Sequence, residues 1–307
     1  MKINSVLIAG AGAIGLTVAE TIYKADPGCI SILAKGERGN RYKKNGLTIN
    51  NKKLDFRFTH GEKTDLIIVA CKFHHLDQII EDISPCVGRD TIILSLLNGI
   101  SSEEKIGQKL GHERLPLAMI IGTDANRDGQ ETTFTQKGII HFGDKDGKNG
   151  VREEKIAEFF TRIGIEFKLE QNMKRKLWYK FMFNIGANQV SAILRLPYGA
   201  LQNRGRPCEI PEARLLFEKA MHEVIAVGNA EGIDLNKEDI EGIYNTINML
   251  NPEAFTSMCQ DVLNDRKTEL EMFSYALMEL AKKHNIHVPV NEIFYLQLRT
   301  IETQALK

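Results

Sequence analysis

Residues 6–15 read VLIAGAGAIG. An unbroken apolar run leads straight into three glycines, and a helix-forming segment, LTVAETIYK, follows. An apolar run without alternation suits a strand covered on both faces, as in a parallel sheet. Parallel neighbours cannot be joined by a hairpin. The helix must therefore carry the chain back across the sheet before the next strand begins. This one stretch commits the N-terminal part to βαβ architecture.

The pattern continues. Strand candidates fall at 5–10, 30–35, 65–71, 91–98, 117–123 and 138–144, with helix candidates at about 14–25, 74–82 and 101–109. From about residue 172 the texture changes to long segments of helical period: 172–195, 209–230, 236–248, 252–282 and 289–305. Turn signals separate them, and NPEAF at 251–255 offers an Asn cap before a Pro start. The expectation is a Rossmann-like, doubly wound α/β domain over 1–170 and an all-α domain over 171–307.

The glycines sit where a dinucleotide fold needs them. Gly10 permits the tight turn, Gly12 lets backbone approach a pyrophosphate, and Gly15 lets the helix pack on its strand. Ala11, Ala13 and Ile14 supply the rest of that loop, and the helix N-terminus faces the phosphates. An NAD-preferring site tends to carry an acidic residue after the second strand; here the first charge is Lys35. A cation there suits a 2′-phosphate, so the cofactor expected is NADPH. The third and fourth strands run into Lys72 and Asn98, in the layer where open α/β sheets bind ligands. Asn98–Gly99 reads equally well as a plain turn pair.

Composition excludes some partners. Lys+Arg and Asp+Glu both number 40, which gives no electrostatic footprint for nucleic acid or a basic membrane surface. No run approaches the roughly 18 apolar residues of a membrane span. The N-terminal residues lack the order of a signal peptide. The five cysteines are scattered, without a CxxC pair, so reduced thiols in the cytoplasm and no metal are expected.

A second feature concerns chemistry. In RKLWYKFMFNIGANQVSA, residues 175–192, Lys180, Asn184 and Asn188 stand four apart on one stripe of an otherwise apolar helix. A desolvated lysine has a depressed pKa and is tolerated mainly where it does chemistry. It can donate a proton to a developing alkoxide, with the carboxamides orienting hydroxyl and carboxylate groups. A polar stripe facing water is the equal alternative, and Lys176 competes with Lys180 on a nearby line. Downstream, Ser257, Gln260, Asp261, Asn264 and Thr268 read as one side of the 252–282 helix, with Glu269 beyond them.

GAGAIG, the lysine of VACK, LNGI, WYKFMFNIGANQVSAI and SMCQD followed by KTE together resemble the ketopantoate reductase family over nearly the whole chain. The resemblance implies a C-terminal domain of the 6-phosphogluconate dehydrogenase C-terminal-like type. It implies NADPH-dependent reduction of 2-dehydropantoate to (R)-pantoate, in pantothenate and coenzyme A biosynthesis. It selects Lys180 as general acid. Asn98, Asn184, Asn188 and Ser257 are implied substrate contacts. Lys72, Asn98, Ala125 and Glu269 are implied cofactor contacts, Glu269 also placing Lys180. Family members often carry a further substrate Asn in a P-N-G turn. Here the turn is Leu196-Pro197-Tyr198-Gly199, so Tyr198 becomes a candidate substrate contact that alters the pocket. The alternatives are a D-2-hydroxy-acid dehydrogenase of the same family acting on another branched or aromatic 2-oxo acid, and a non-catalytic nucleotide-binding sensor. The partner expected is a small-molecule 2-oxo acid, with neither nucleic acid nor membrane, and with a homodimer admitted.

Overall fold

The computed structural model describes residues 2–305. The chain divides into two compact units, Met1–Lys174 and Arg175–Lys307.

In chain order the first unit contains β1 (Val6–Ala9), α1 (Ala13–Ala25), β2 (Ile30–Leu33), α2 (Gly36–Asn45), β3 (Leu47–Ile49), β4 (Lys52–Leu54) and β5 (Arg57–Thr59). There follow β6 (Thr64–Val69), α3 (Leu76–Ile83), β7 (Val87–Ser95), α4 (Ser102–Leu110), β8 (Leu117–Thr123), β9 (Asn126–Asp128) and β10 (Glu131–Thr133). The unit ends with β11 (Lys137–Gly143), α5 (Val151–Ile163) and β12 (Phe167–Leu169). Its main sheet is parallel throughout, in the order β5-β2-β1-β6-β7. Every residue of β1 and β2 is buried, as the unbroken apolar runs required. The strands β8 and β11 pair antiparallel in a separate sheet, β12-β11-β8, and a small sheet joins β4-β3-β10-β9. This is the Rossmann-like arrangement.

Two helices lie outside the expected set. α2, GERGNRYKKN, has no apolar period to announce it. It holds because Tyr42 is buried and Gly39 packs on the backbone of Ala34, where a Cβ would come within 2.9 Å. α5 is amphipathic, burying Ile156, Phe159, Phe160 and Ile163.

Among its described residues the second unit is helical: α6 (Met173–Leu194, beginning two residues before the unit boundary), α7 (Pro211–Ala230), α8 (Lys237–Met249), α9 (Ser257–Leu263), α10 (Ser274–Lys283) and α11 (Pro289–Ala305). α6 is buried nearly all round, through Leu177, Trp178, Phe181, Met182, Ile185, Ala187 and Val190. Gly186 allows α7 to approach, since a Cβ there would meet the Phe217 ring at 2.3 Å.

The continuous helix expected over 252–282 is broken. Residues 251–256 form a turn, because the Asn251 side chain accepts from Glu253 N at 3.1 Å and competes with a helix start. α9 stops at Leu263; Asp265 takes φ +52° and Arg266 N returns to Asp261 O at 2.8 Å. Irregular chain with one 3₁₀ turn, Leu270–Met272, leads into α10. The expected row from Ser257 to Thr268 is therefore not one helix face. Among the described residues, no helix is long and apolar enough to cross a membrane.

Candidate active site

The register of the main sheet aligns its carboxyl ends. Ile8 pairs with Ile32, Ala9 with Val69, and Val69 with Ser95. Lys35, the glycine loop, Lys72 and Asn98 each follow one of these strand ends. In sheet order Lys35 follows β2, the loop follows β1, Lys72 follows β6 and Asn98 follows β7, so the loop stands between Lys35 on one side and Lys72 and Asn98 on the other.

Each glycine has a different reason to be there. Gly10 has φ +120°, and a Cβ would press on the Ala70 carbonyl at 2.6 Å. At Gly15 a Cβ would fall 1.9 Å from Gly10 O, so glycine is demanded by helix–strand packing. Gly12 differs. Its φ of −87° suits any residue, and a Cβ would meet only Ala70 O, at 3.6 Å. The protein's own packing does not require glycine at 12. Space is kept there at the start of α1, whose first turn carries no acidic residue. The open amides of Ala13, Ile14 and Gly15 and the bare backbone of Gly12 fit a diphosphate. The residues present thus suit a dinucleotide.

Lys35 is exposed and pairs with Asp82 of α3 at 3.0 Å. Lys72 is exposed and precedes a 3₁₀ turn, Phe73–His75. Asn98 is half-buried in the loop after β7, beside Gly99 at φ +82°. Ala125 lies between β8 and β9, its amide on Thr123 Oγ1 at 3.2 Å. Sequence reasoning missed Arg127, on β9. Its guanidinium donates to the carbonyl of Ala11, inside the glycine loop, and lies 5.8 Å from the Tyr42 ring centroid. No motif marks it; a β-ribbon remote in sequence brings it to the loop.

In the second unit, α6 carries the polar stripe. Asn184 and Asn188 are buried, at 7% and 5% exposure, and Lys180 is half-buried. The stripe does not face water along its length. Lys176, one turn earlier, is exposed. Burial pushes the Lys180 ammonium down to about 8, and the negative charge of Glu269 opposes that fall. Glu269 belongs to the irregular segment between α9 and α10, so the break in the expected helix delivers it to Lys180. Ser191 has a structural part: its hydroxyl donates to Leu196 O at 2.6 Å and closes the end of α6.

The next turn pins itself to the 251–256 segment. Tyr198 N donates to Ala254 O and Gly199 N to Pro252 O, each at 2.9 Å. Burial raises the Tyr198 phenol to about 12, so it remains a donor. Ser257 is exposed in the first turn of α9, whose cap is Thr256 Oγ1 accepting from Cys259 N at 3.1 Å. One unit thus presents a glycine loop at the start of a helix, of a shape that suits a dinucleotide, and the other an ammonium of lowered pKa on a line with two buried carboxamides.

Residues 6–147 match the family described as "Ketopantoate reductase PanE/ApbA", and residues 172–302 match "Ketopantoate reductase PanE/ApbA C terminal". A 2-dehydropantoate 2-reductase of Pyrococcus horikoshii is 28% identical over 305 residues, covering 97% of each chain. In fold, the chain is similar to D-mandelate dehydrogenase bound to NADH and anilino(oxo)acetate. The TM-score is 0.87 at 22% identity, over 99% of this chain and 100% of that one. It is also similar to a dimeric ketopantoate reductase from Staphylococcus aureus, with a TM-score of 0.80 at 21% identity, over 98% and 99% of the chains.

Proposed function

The chain belongs to the ketopantoate reductase family of oxidoreductases, and from that membership we propose that it reduces 2-dehydropantoate to (R)-pantoate with NADPH. The observation that carries this reading is Lys180: a half-buried ammonium held at about 8, on a line with two buried carboxamides. An acid with that value both holds a proton near neutral pH and gives it up readily.

Reduced nicotinamide supplies the hydride when bound. Lys180 holds the proton at Nζ and gives it to the ketone oxygen, stabilising the charge that develops there. Asn184 and Asn188 orient the substrate's hydroxyl and carboxylate without adding charge. Ser257 takes part in carboxylate binding, and Tyr198 offers a phenol that stays protonated. Gly10, Ala11, Gly12, Ala13, Ile14 and Gly15 bind the diphosphate through backbone, Lys35 the 2′-phosphate, and Lys72, Asn98, Ala125 and Glu269 the remaining polar groups of the cofactor. Asn98 also touches substrate. The partners in this reading are the small 2-oxo acid and a second copy of the chain, the setting is the cytoplasm, and the product serves pantothenate and coenzyme A synthesis.

Tyr198 supports a second reading. It is larger than the Asn expected in that turn, and D-mandelate dehydrogenase shares the fold. In that case the same Lys180 chemistry serves another branched or aromatic 2-oxo acid, with NADH or NADPH. Initial rates with 2-dehydropantoate, phenylglyoxylate and a branched-chain 2-oxo acid, each with NADPH and NADH, separate the two. The highest kcat/KM for 2-dehydropantoate with NADPH upholds the first. A higher value for either other acid replaces it. Nucleotide binding without turnover of any 2-oxo acid leaves only a sensor.

A further inference from the structure

The break between α9 and α10 leaves Glu269 in irregular chain, where no helical ladder fixes it. Its neighbours are anchored instead. Thr268, wholly buried, gives Glu302 Oε1 two hydrogen bonds, from its amide at 2.8 Å and from Oγ1 at 2.6 Å. The same hydroxyl accepts from Leu270 N at 3.3 Å, so the amides on both sides of Glu269 are held, one by Glu302 directly and one through Thr268 Oγ1. Beyond it, Glu271 Oε1 accepts from Arg299 Nη2 at 2.8 Å, and Arg299 Nη1 donates to Glu302 Oε2 at 3.0 Å. Arg299 and Glu302 stand three apart on α11, on one face of a continuous helix. An ion pair on α11 thus grips residues 268 and 271, with 269 held between.

We propose that Glu302 is a positioning residue for proton transfer, holding the 268–271 segment so that the Glu269 carboxylate acts on Lys180; this rests on the reading of Lys180 as the proton donor. Glu302 is 5% exposed. A carboxylate buried to that degree costs free energy unless its oxygens are satisfied, and here three donors satisfy them. A neutral acceptor would serve the Thr268 amide alone. The charge adds the link to Arg299 and through it to Glu271. Glu269 is a charge that acts on Lys180, and Lys176, another ionisable group of α6 on a nearby line, lies one turn earlier. Displacing Glu269 therefore leaves the ammonium with less support.

The test compares the pH dependence of kcat/KM for 2-oxo acid reduction in wild type, E302A, T268V, T268S and K180A, with thermal midpoints to establish folding. In E302A and T268V the basic limb moves to lower pH, and turnover at pH 8 falls about threefold to tenfold. T268S, which keeps the hydroxyl, retains the wild-type profile. Folded E302A and T268V with an unmoved limb overturn the proposal. If E302A does not fold, the isosteric T268V decides. If K180A turns over normally, the parent reading fails and this one with it, an outcome told apart by K180A alone.

Discussion

Gly12 and Gly15 stand three residues apart in one loop, and alanine at each should fail in a different way. At Gly12 the backbone is acceptable to alanine, and its Cβ would meet one atom at 3.6 Å. Removing a glycine narrows the unfolded ensemble and stabilises by about 0.4–1 kcal/mol. A poorer N-cap takes back a similar amount, so G12A should fold within about 1 kcal/mol of wild type. The methyl would stand where a diphosphate closes on the loop. A methyl too many in a packed contact costs about 1–3 kcal/mol, which raises the NADPH Kd roughly fivefold to 150-fold. At Gly15 the new Cβ would lie 1.9 Å from Gly10 O, a backbone atom that cannot swing away. G15A should lose about 3 kcal/mol or more, lowering Tm by about 6 °C or more. Nucleotide fluorescence titration and thermal melts measure both quantities. G12A with wild-type NADPH affinity would refute the cradle, and G15A with wild-type Tm would refute the packing argument.

Four further outcomes follow from the structure. With Lys180 held at about 8, kcat/KM for reduction falls above that pH and rises for the reverse oxidation, and a profile flat from pH 7 to 10 would remove Lys180 as the acid. Because its folded pKa lies below the ordinary lysine value, the unfolded chain binds the proton more tightly, and this group's contribution to stability rises with pH above about 8. K35A breaks an exposed pair with Asp82 and should change stability by less than about 0.5 kcal/mol, while NADPH affinity falls about tenfold and NADH affinity does not; equal losses would sink its assignment to a 2′-phosphate. Y198F should lower kcat/KM for 2-dehydropantoate about threefold to tenfold through one lost hydrogen bond and spare a 2-oxo acid without a hydroxyl; equal effects on both would show that only the shape of the ring matters.

What could be read from the chain alone was what local sterics and period decide. The unbroken apolar runs at Val6–Ala9 and at residues 66–69 became buried stretches of parallel strand, because a strand covered on both faces has no polar side to write into its pattern. The loop from Gly10 to Gly15 announced itself because the turn at Gly10 and the packing at Gly15 exclude a Cβ. The spacing of Lys180, Asn184 and Asn188 declared one stripe of one helix. Period alone could not say whether that stripe met water or core, because the answer lies in which other elements cover it. The neighbours in the folded unit decided that: they bury both carboxamides, half-bury Lys180 and leave Lys176 exposed. The break after Leu263 was equally invisible. Helical spacing runs on through the segment, and the groups that hold the irregular chain, Arg299 and Glu302, lie some thirty residues away in sequence. The sequence by itself determined the strands β1, β2, β6, β7, β8 and β11, the glycine loop and the chemical types on α6, while the short strands β3, β4, β5, β9, β10 and β12 went unannounced. Only the tertiary structure decided that Glu269 would act on Lys180, because an irregular segment has no local hydrogen-bond ladder and takes its shape from whatever distant groups satisfy it.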